Sequence, residues 1–61
     1  MSAQRVLIVE DEQHLAEGLR FNLEAEGYAA NIVETGEQAL QALLDPAARY
    51  DLVVLDVMAV L

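Results

Sequence analysis

Two short, uninterrupted apolar runs constrain the fold of this chain more than any other feature. They span residues 6–9 and 52–55, contain valine or isoleucine as well as leucine, and are each followed directly by an acidic residue. Such a run is typical of a strand buried on both faces, as strands of parallel sheets are. Residues 28–33 form a weaker third strand candidate because two alanines and an asparagine interrupt them.

The stretches between these runs have helical patterns. In the first stretch, leucines recur every fourth residue and predict one core-facing stripe: Leu15, Leu19 and Leu23. We expect Asp11 to cap this helix, Glu12 to lie in its first turn, and Gly27 to end it.

The second helical stretch begins with the form of a capping box, in which Thr35 is the N-cap and Gln38 is the third helical residue. An apolar face follows: Ala39, Leu40, Leu43 and Leu44. Pro46 predicts the end of this helix at Asp45, because a residue before proline avoids helical geometry. The order β-α-β-α-β predicts an α/β fold with parallel strands and right-handed crossovers.

Three carboxylates follow the buried strands directly. Glu10 and Asp11 follow the first strand, and Asp56 follows the third. If these strands are neighbours, the carboxylates converge at the sheet edge where α/β proteins bind ligands. Converging carboxylates need a cation, and Mg²⁺ fits an oxygen-only ligand set. Asp56 could then accept a phosphoryl group.

Each acid also has a purely structural interpretation. Asp11 is then only a helix cap, Glu10 a solvated strand end and Asp56 a turn residue. The three together weaken this alternative, since Asp56 is surrounded by apolar residues, a poor environment for an idle charge. His14 is the only histidine, and we expect it to be a surface residue.

Composition limits the partners and the compartment. The formal net charge is -8, with three arginines and no lysine, so the surface should repel nucleic acid and anionic membranes. The longest apolar tract, residues 52–61, is interrupted by Asp56 and is well short of the ~20 residues that span a bilayer. Cysteine is absent, which is compatible with a reducing compartment, and we expect a cytoplasmic protein.

Four segments taken together resemble bacterial two-component response regulators. They are RVLIVEDE, EGY, TGEQAL and DLVVLDVM, in the order and spacing of that family. The resemblance implies that residues 1–61 form the N-terminal half of a flavodoxin-like, doubly wound (βα)₅ receiver domain, with the second half absent. It also implies that a sensor histidine kinase supplies a phosphoryl group and that Mg²⁺ is required.

The resemblance assigns roles by position. Asp56 matches the phosphoacceptor, Glu10 and Asp11 match the acidic pair that organises the metal, and Met58 matches the residue whose backbone carbonyl completes the metal ligands. We therefore expect a signalling module rather than an enzyme. The chain departs from the family at Val60, where a proline is usual, and it lacks the second half that supplies a Ser or Thr and a Lys.

Two other functions compete with the phosphorelay module. The first is a non-catalytic half-domain that is not competent for phosphotransfer and persists by self-association, as a homo-oligomer that buries its apolar faces. The second is a small metal-dependent hydrolase, which ranks last because no base or cationic clamp accompanies the acids.

Overall fold

Strands and helices alternate along the chain as the apolar pattern predicts. The computed structural model describes residues 3–55. The elements are β1 (Arg5–Val9), α1 (Gln13–Ala25), β2 (Ala29–Val33), α2 (Gly36–Leu44) and β3 (Leu52–Leu55). The bounds of β3 agree with the predicted run. β2 begins one residue later than predicted, because the Tyr28 N–H donates back to the Leu23 carbonyl of α1 and not to the sheet.

The three strands form one parallel sheet in the order β2-β1-β3. Val9 at the end of β1 pairs with Val33 on one side and with Leu55 on the other. The first and third strands are therefore neighbours, which was the condition for the acids to converge. This confirms the predicted α/β class with a parallel β-α-β-α-β arrangement.

The two helices cover opposite faces of β1. Val6 and Ile8 are fully buried in a cluster that Leu23 of α1 joins. Leu7 and Val9 point to the other face, where they pack with Ala39 of α2. The two crossovers lead in opposite directions across the sheet, so two connections of the same hand place their helices on opposite faces.

Glu12, and not Asp11, is the N-cap of α1, so the predicted cap was wrong by one residue. The side chain of Glu12 accepts hydrogen bonds from the backbone N–H groups of His14 and Leu15. Aspartate is the commoner capping residue, but the chain turns away from β1 at Asp11 and reaches the geometry of a cap only at Glu12, which has φ -89° and ψ 110°.

Gly27 ends α1 as predicted. Its φ is +98°, and the backbone N–H groups of Gly27 and Tyr28 donate to the carbonyls of Glu24 and Leu23, each at 3.0 Å. These two bonds define a Schellman motif. The motif turns Tyr28 back onto the core cluster of α1 and leads the chain directly into β2.

The capping box of α2 is present in a shifted form. Thr35 Oγ1 accepts from the Gln38 N–H at 3.1 Å, as predicted. The Gln38 side chain accepts from the Glu34 N–H at 2.8 Å, one residue before the cap itself. The helix ends at the Asp45 cap, just before Pro46, as predicted.

Hydrogen bonds and a cation–π contact link the start of β3 to the other two strands. The Arg5 N–H donates to Asp51 Oδ2 at 2.8 Å, and the Asp51 N–H donates to the Arg5 carbonyl at 2.8 Å. The Arg5 guanidinium lies 4.9 Å from the ring centroid of Tyr50, whose hydroxyl accepts from Asn31 Nδ2 at 2.8 Å. The asparagine that weakened the prediction of β2 therefore helps to hold β3 in place.

The predicted burial of the leucines was largely wrong. Leu15 is 57% exposed and Leu19 is also exposed, because the buried residue by which α1 contacts the sheet is Ala16. Of the predicted stripe, only Leu23 packs against the core. In the same way α2 seats through Ala39 and Ala42, and its leucines are exposed: Leu40, Leu43 and Leu44.

β3 is not buried on both faces as predicted. Leu52 and Leu55 are 53% and 61% exposed, on opposite faces of the sheet, and Val53 and Val54 are half-buried. Both helices lie over β1 and β2, and no Cα of either helix lies within 8 Å of a Cα of β3.

Neither helix in the described part of the chain is long and apolar enough to cross a membrane.

Candidate functional site

β1 and β3 end side by side at the carboxyl edge of the sheet. The last register pair joins Val9 to Leu55. Glu10 follows Val9 in the sequence, and Asp56 follows Leu55. The chain connections leave β1 toward β2 on one side and reach β3 on the other, which makes this edge the topological switch point where α/β sheets bind ligands. Asp56 and Met58 themselves lie outside the described residues.

Glu10 is buried at this edge, with only 3% of its surface exposed. Its backbone N–H donates to the Val33 carbonyl at 3.0 Å, which ties it to the end of β2. Its Oε2 accepts from the Glu12 N–H at 2.8 Å. A buried carboxylate is costly unless hydrogen bonds or charges compensate it, so the interpretation of Glu10 as a solvated strand end was wrong.

Asp11 lies in the turn between β1 and α1 and is exposed. Because Glu12 caps α1, Asp11 does not have the helix-capping role that was the alternative to metal binding. The two acids after β1 therefore differ in environment: Glu10 is enclosed and oriented by hydrogen bonds, whereas Asp11 is accessible to solvent.

The described residues supply part of the predicted metal ligand set. Among residues 3–55 no cluster of three or more His, Cys, Asp or Glu side chains is arranged to hold a metal ion. Glu10 and Asp11 are adjacent oxygen donors next to the end of β3, and the other two predicted ligands, Asp56 and Met58, lie beyond the described part. A set of carboxylate and carbonyl oxygens is the donor chemistry of Mg²⁺, so the residues present fit that ion.

One cleft among the described residues does not coincide with this edge. It has a volume of about 680 Å³ and includes Glu10, Gln13 and Glu34 in its wall, but it runs beside β2. We place the candidate site between β1 and β3 instead, because there the strand order reverses and the acids follow both strands. His14 is a surface residue as predicted, with a side chain that is 99% exposed.

Comparison with known proteins identifies the family. The model of the response regulator receiver domain matches residues 6–59. The chain belongs to this family. Receiver domains are signalling modules of phosphorelays that receive phosphoryl groups from sensor kinases, and the family generally binds Mg²⁺ at the phosphorylation site.

Several curated proteins are similar to the chain over most of its length. The transcriptional regulatory protein PcoR of Escherichia coli is 46% identical over 55 residues, which cover 90% of this chain and 24% of PcoR. The uncharacterized transcriptional regulatory protein YkoG of Bacillus subtilis is 43% identical over 58 residues, which cover 95% of this chain and 25% of YkoG. The DNA-binding response regulator MtrA of Mycolicibacterium smegmatis is 44% identical over 55 residues, which cover 90% of this chain and 23% of MtrA.

The chain thus spans about a quarter of the length of these curated relatives. No solved structure matches the chain significantly.

Proposed function

We propose that the chain is a phosphoacceptor module in which Asp56 receives a phosphoryl group from a sensor histidine kinase with the help of Mg²⁺. The observation that supports this most is the parallel pairing of β1 with β3, whose last pair, Val9 with Leu55, directly precedes Glu10 and Asp56 in the sequence. Membership of the receiver family agrees with this assignment. A cytoplasmic location is part of the same proposal.

The proposed step is an in-line phosphoryl transfer. A carboxylate oxygen of Asp56 attacks the phosphorus of a phosphohistidine, a P–O bond forms, the P–N bond breaks, and its electron pair returns to the imidazole nitrogen. Glu10, Asp11, Asp56 and the Met58 carbonyl would hold Mg²⁺, which supplies charge neutralisation for the phosphoryl group. The contribution of Glu10 is a carboxylate already oriented by the Glu12 N–H.

Acetyl phosphate with Mg²⁺ tests the proposal without the kinase. We expect the mass of the intact protein to increase by one phosphoryl group in the wild type and in Asp51→Asn, but not in Asp56→Asn. Asp51 is the matched control because it precedes β3, whereas Asp56 follows it. An Asp56→Asn protein that still gains the group would refute the assignment.

A second candidate function, self-association of the 61-residue chain, is favoured by the exposed apolar residues of β3 and α2. Leu52 and Leu55 are more than half exposed, and neither helix covers β3. In the described part of the chain β3 pairs only with β1, so its other edge offers unpaired backbone groups. Sedimentation over a dilution series should reveal an oligomer that Leu52→Gln weakens.

The matched control for this experiment is Phe21→Gln. Phe21 is 74% exposed but lies on α1 and not on β3. A chain that sediments as a monomer at every concentration would exclude self-association and leave the phosphoacceptor proposal unaffected.

A further inference from the structure

Glu12 makes two kinds of hydrogen bond at the carboxyl edge of the sheet. Its Oε1 accepts from the backbone N–H groups of His14 at 2.9 Å and Leu15 at 3.2 Å. Its carbonyl accepts the first helical hydrogen bond, from Ala16 at 3.0 Å. The two side-chain bonds satisfy two of the N–H groups that every helix start leaves without a partner in the helix.

The backbone N–H of the same residue points the other way, toward β1. It donates to Oε2 of Glu10 at 2.8 Å. The direction of this N–H depends in part on φ of Glu12. Glu12 has an extended backbone, with φ -89° and ψ 110°, in which its side chain reaches the N–H groups of the first turn of α1. The cap of α1 and the orientation of the Glu10 carboxylate therefore depend on one residue.

Hydrogen bonds that orient a metal ligand contribute strongly to metal affinity. One oxygen of Glu10 is held by the Glu12 N–H, and its backbone is held by the Val33 carbonyl. We infer that Glu12 is a positioning residue for the proposed Mg²⁺ site, which acts by fixing the carboxylate of Glu10 and not by binding the ion. This inference rests on the proposed function.

Two substitutions of Glu12 by uncharged residues separate the effect of the helix cap from the effect of the negative charge. Glu12→Ser keeps a capping oxygen, whereas Glu12→Ala removes it, and both remove the same negative charge. We expect Mg²⁺ to bind Glu12→Ala about fivefold more weakly than Glu12→Ser, in line with the usual cost of a lost cap. Calorimetric titration with Mg²⁺ measures the difference.

A second readout needs no metal. Hydrogen exchange measured by NMR reports how well the amide at position 12 is held against Glu10. We expect this amide to exchange faster in Glu12→Ala than in Glu12→Ser.

Thr35→Ala is the control for loss of stability. It removes the equivalent cap from α2, where Thr35 Oγ1 accepts from Gln38, and it should leave Mg²⁺ affinity and the exchange of the Glu12 amide unchanged. If Glu12→Ala does not fold, Glu12→Gly replaces it, because glycine is tolerated much better at an N-cap.

The possible results distinguish this inference from the proposed function. Equal Mg²⁺ affinity and equal amide exchange in the serine and alanine variants, with normal binding by the wild type, would overturn the positioning role alone. A wild-type protein that does not bind Mg²⁺ would overturn the proposed metal site and this inference with it.

Discussion

Replacing Gly27 by alanine should destabilise the protein, whereas the same substitution at Gly18 should stabilise it. Gly27 has a φ of +98°, a conformation that L-residues rarely adopt. Left-handed backbone costs an L-residue about 1–2 kcal/mol, and we expect the free energy of unfolding to fall by about that amount. The loss comes from backbone strain and not from a steric clash, because a Cβ atom at Gly27 would meet no atom within 4 Å.

Gly18 is the matched control, since it lies inside α1 and a Cβ atom there would also meet nothing within 4 Å. Alanine restricts the unfolded chain and favours the helix, which should raise the free energy of unfolding by about 0.5–1 kcal/mol. The two variants should therefore differ by about 1.5–3 kcal/mol.

Urea unfolding followed by far-ultraviolet circular dichroism measures both values at one protein concentration. A Gly27→Ala protein as stable as the wild type would refute the Schellman geometry at the end of α1. A Gly18→Ala protein that is less stable than the wild type would show that another surface covers this side of α1 in solution.

Three further outcomes are expected. Leu7→Ala, at a fully buried position of the central strand, should lower the free energy of unfolding by about 2–5 kcal/mol. Leu44→Ala, on the exposed side of α2, should change it by less than about 0.5 kcal/mol. Urea unfolding measures both values. Thr35→Ala should cost about 1 kcal/mol in the same assay, and a neutral effect would contradict the α2 cap. Asp11→Asn and Glu10→Gln should each weaken Mg²⁺ binding about tenfold or more by calorimetry, and unchanged affinity in both would remove their metal role.

The sequence was sufficient to predict the strands and their order along the chain. Residues 6–9 of β1 and all of β3 are apolar without interruption, which is typical of strands in a parallel sheet. The helix ends were predicted where a residue has one clear preference, as Gly27 and Thr35 have. The pairing of β1 with β3 stayed conditional, because no local pattern determines strand order.

The cap of α1 and the buried face of each helix were not predictable from the pattern. Asp11 and Glu12 can both accept helical N–H bonds, and the path of the chain after β1 decides between them. The leucine stripe of α1 faced the core in the prediction, but Ala16 allows the helix to approach the sheet closely and leaves Leu15 exposed. Burial of Glu10 likewise depends on β2 and α1, which follow it in the chain.

The most direct test of the account is to locate the phosphoryl group within the phosphorylated protein. After reaction with the phosphorylated sensor kinase in the presence of Mg²⁺, digestion and mass spectrometry identify the modified residue. We expect modification of Asp56, the residue after β3, and of no other residue. A phosphoryl group on Glu10, Asp11 or His14 would contradict it.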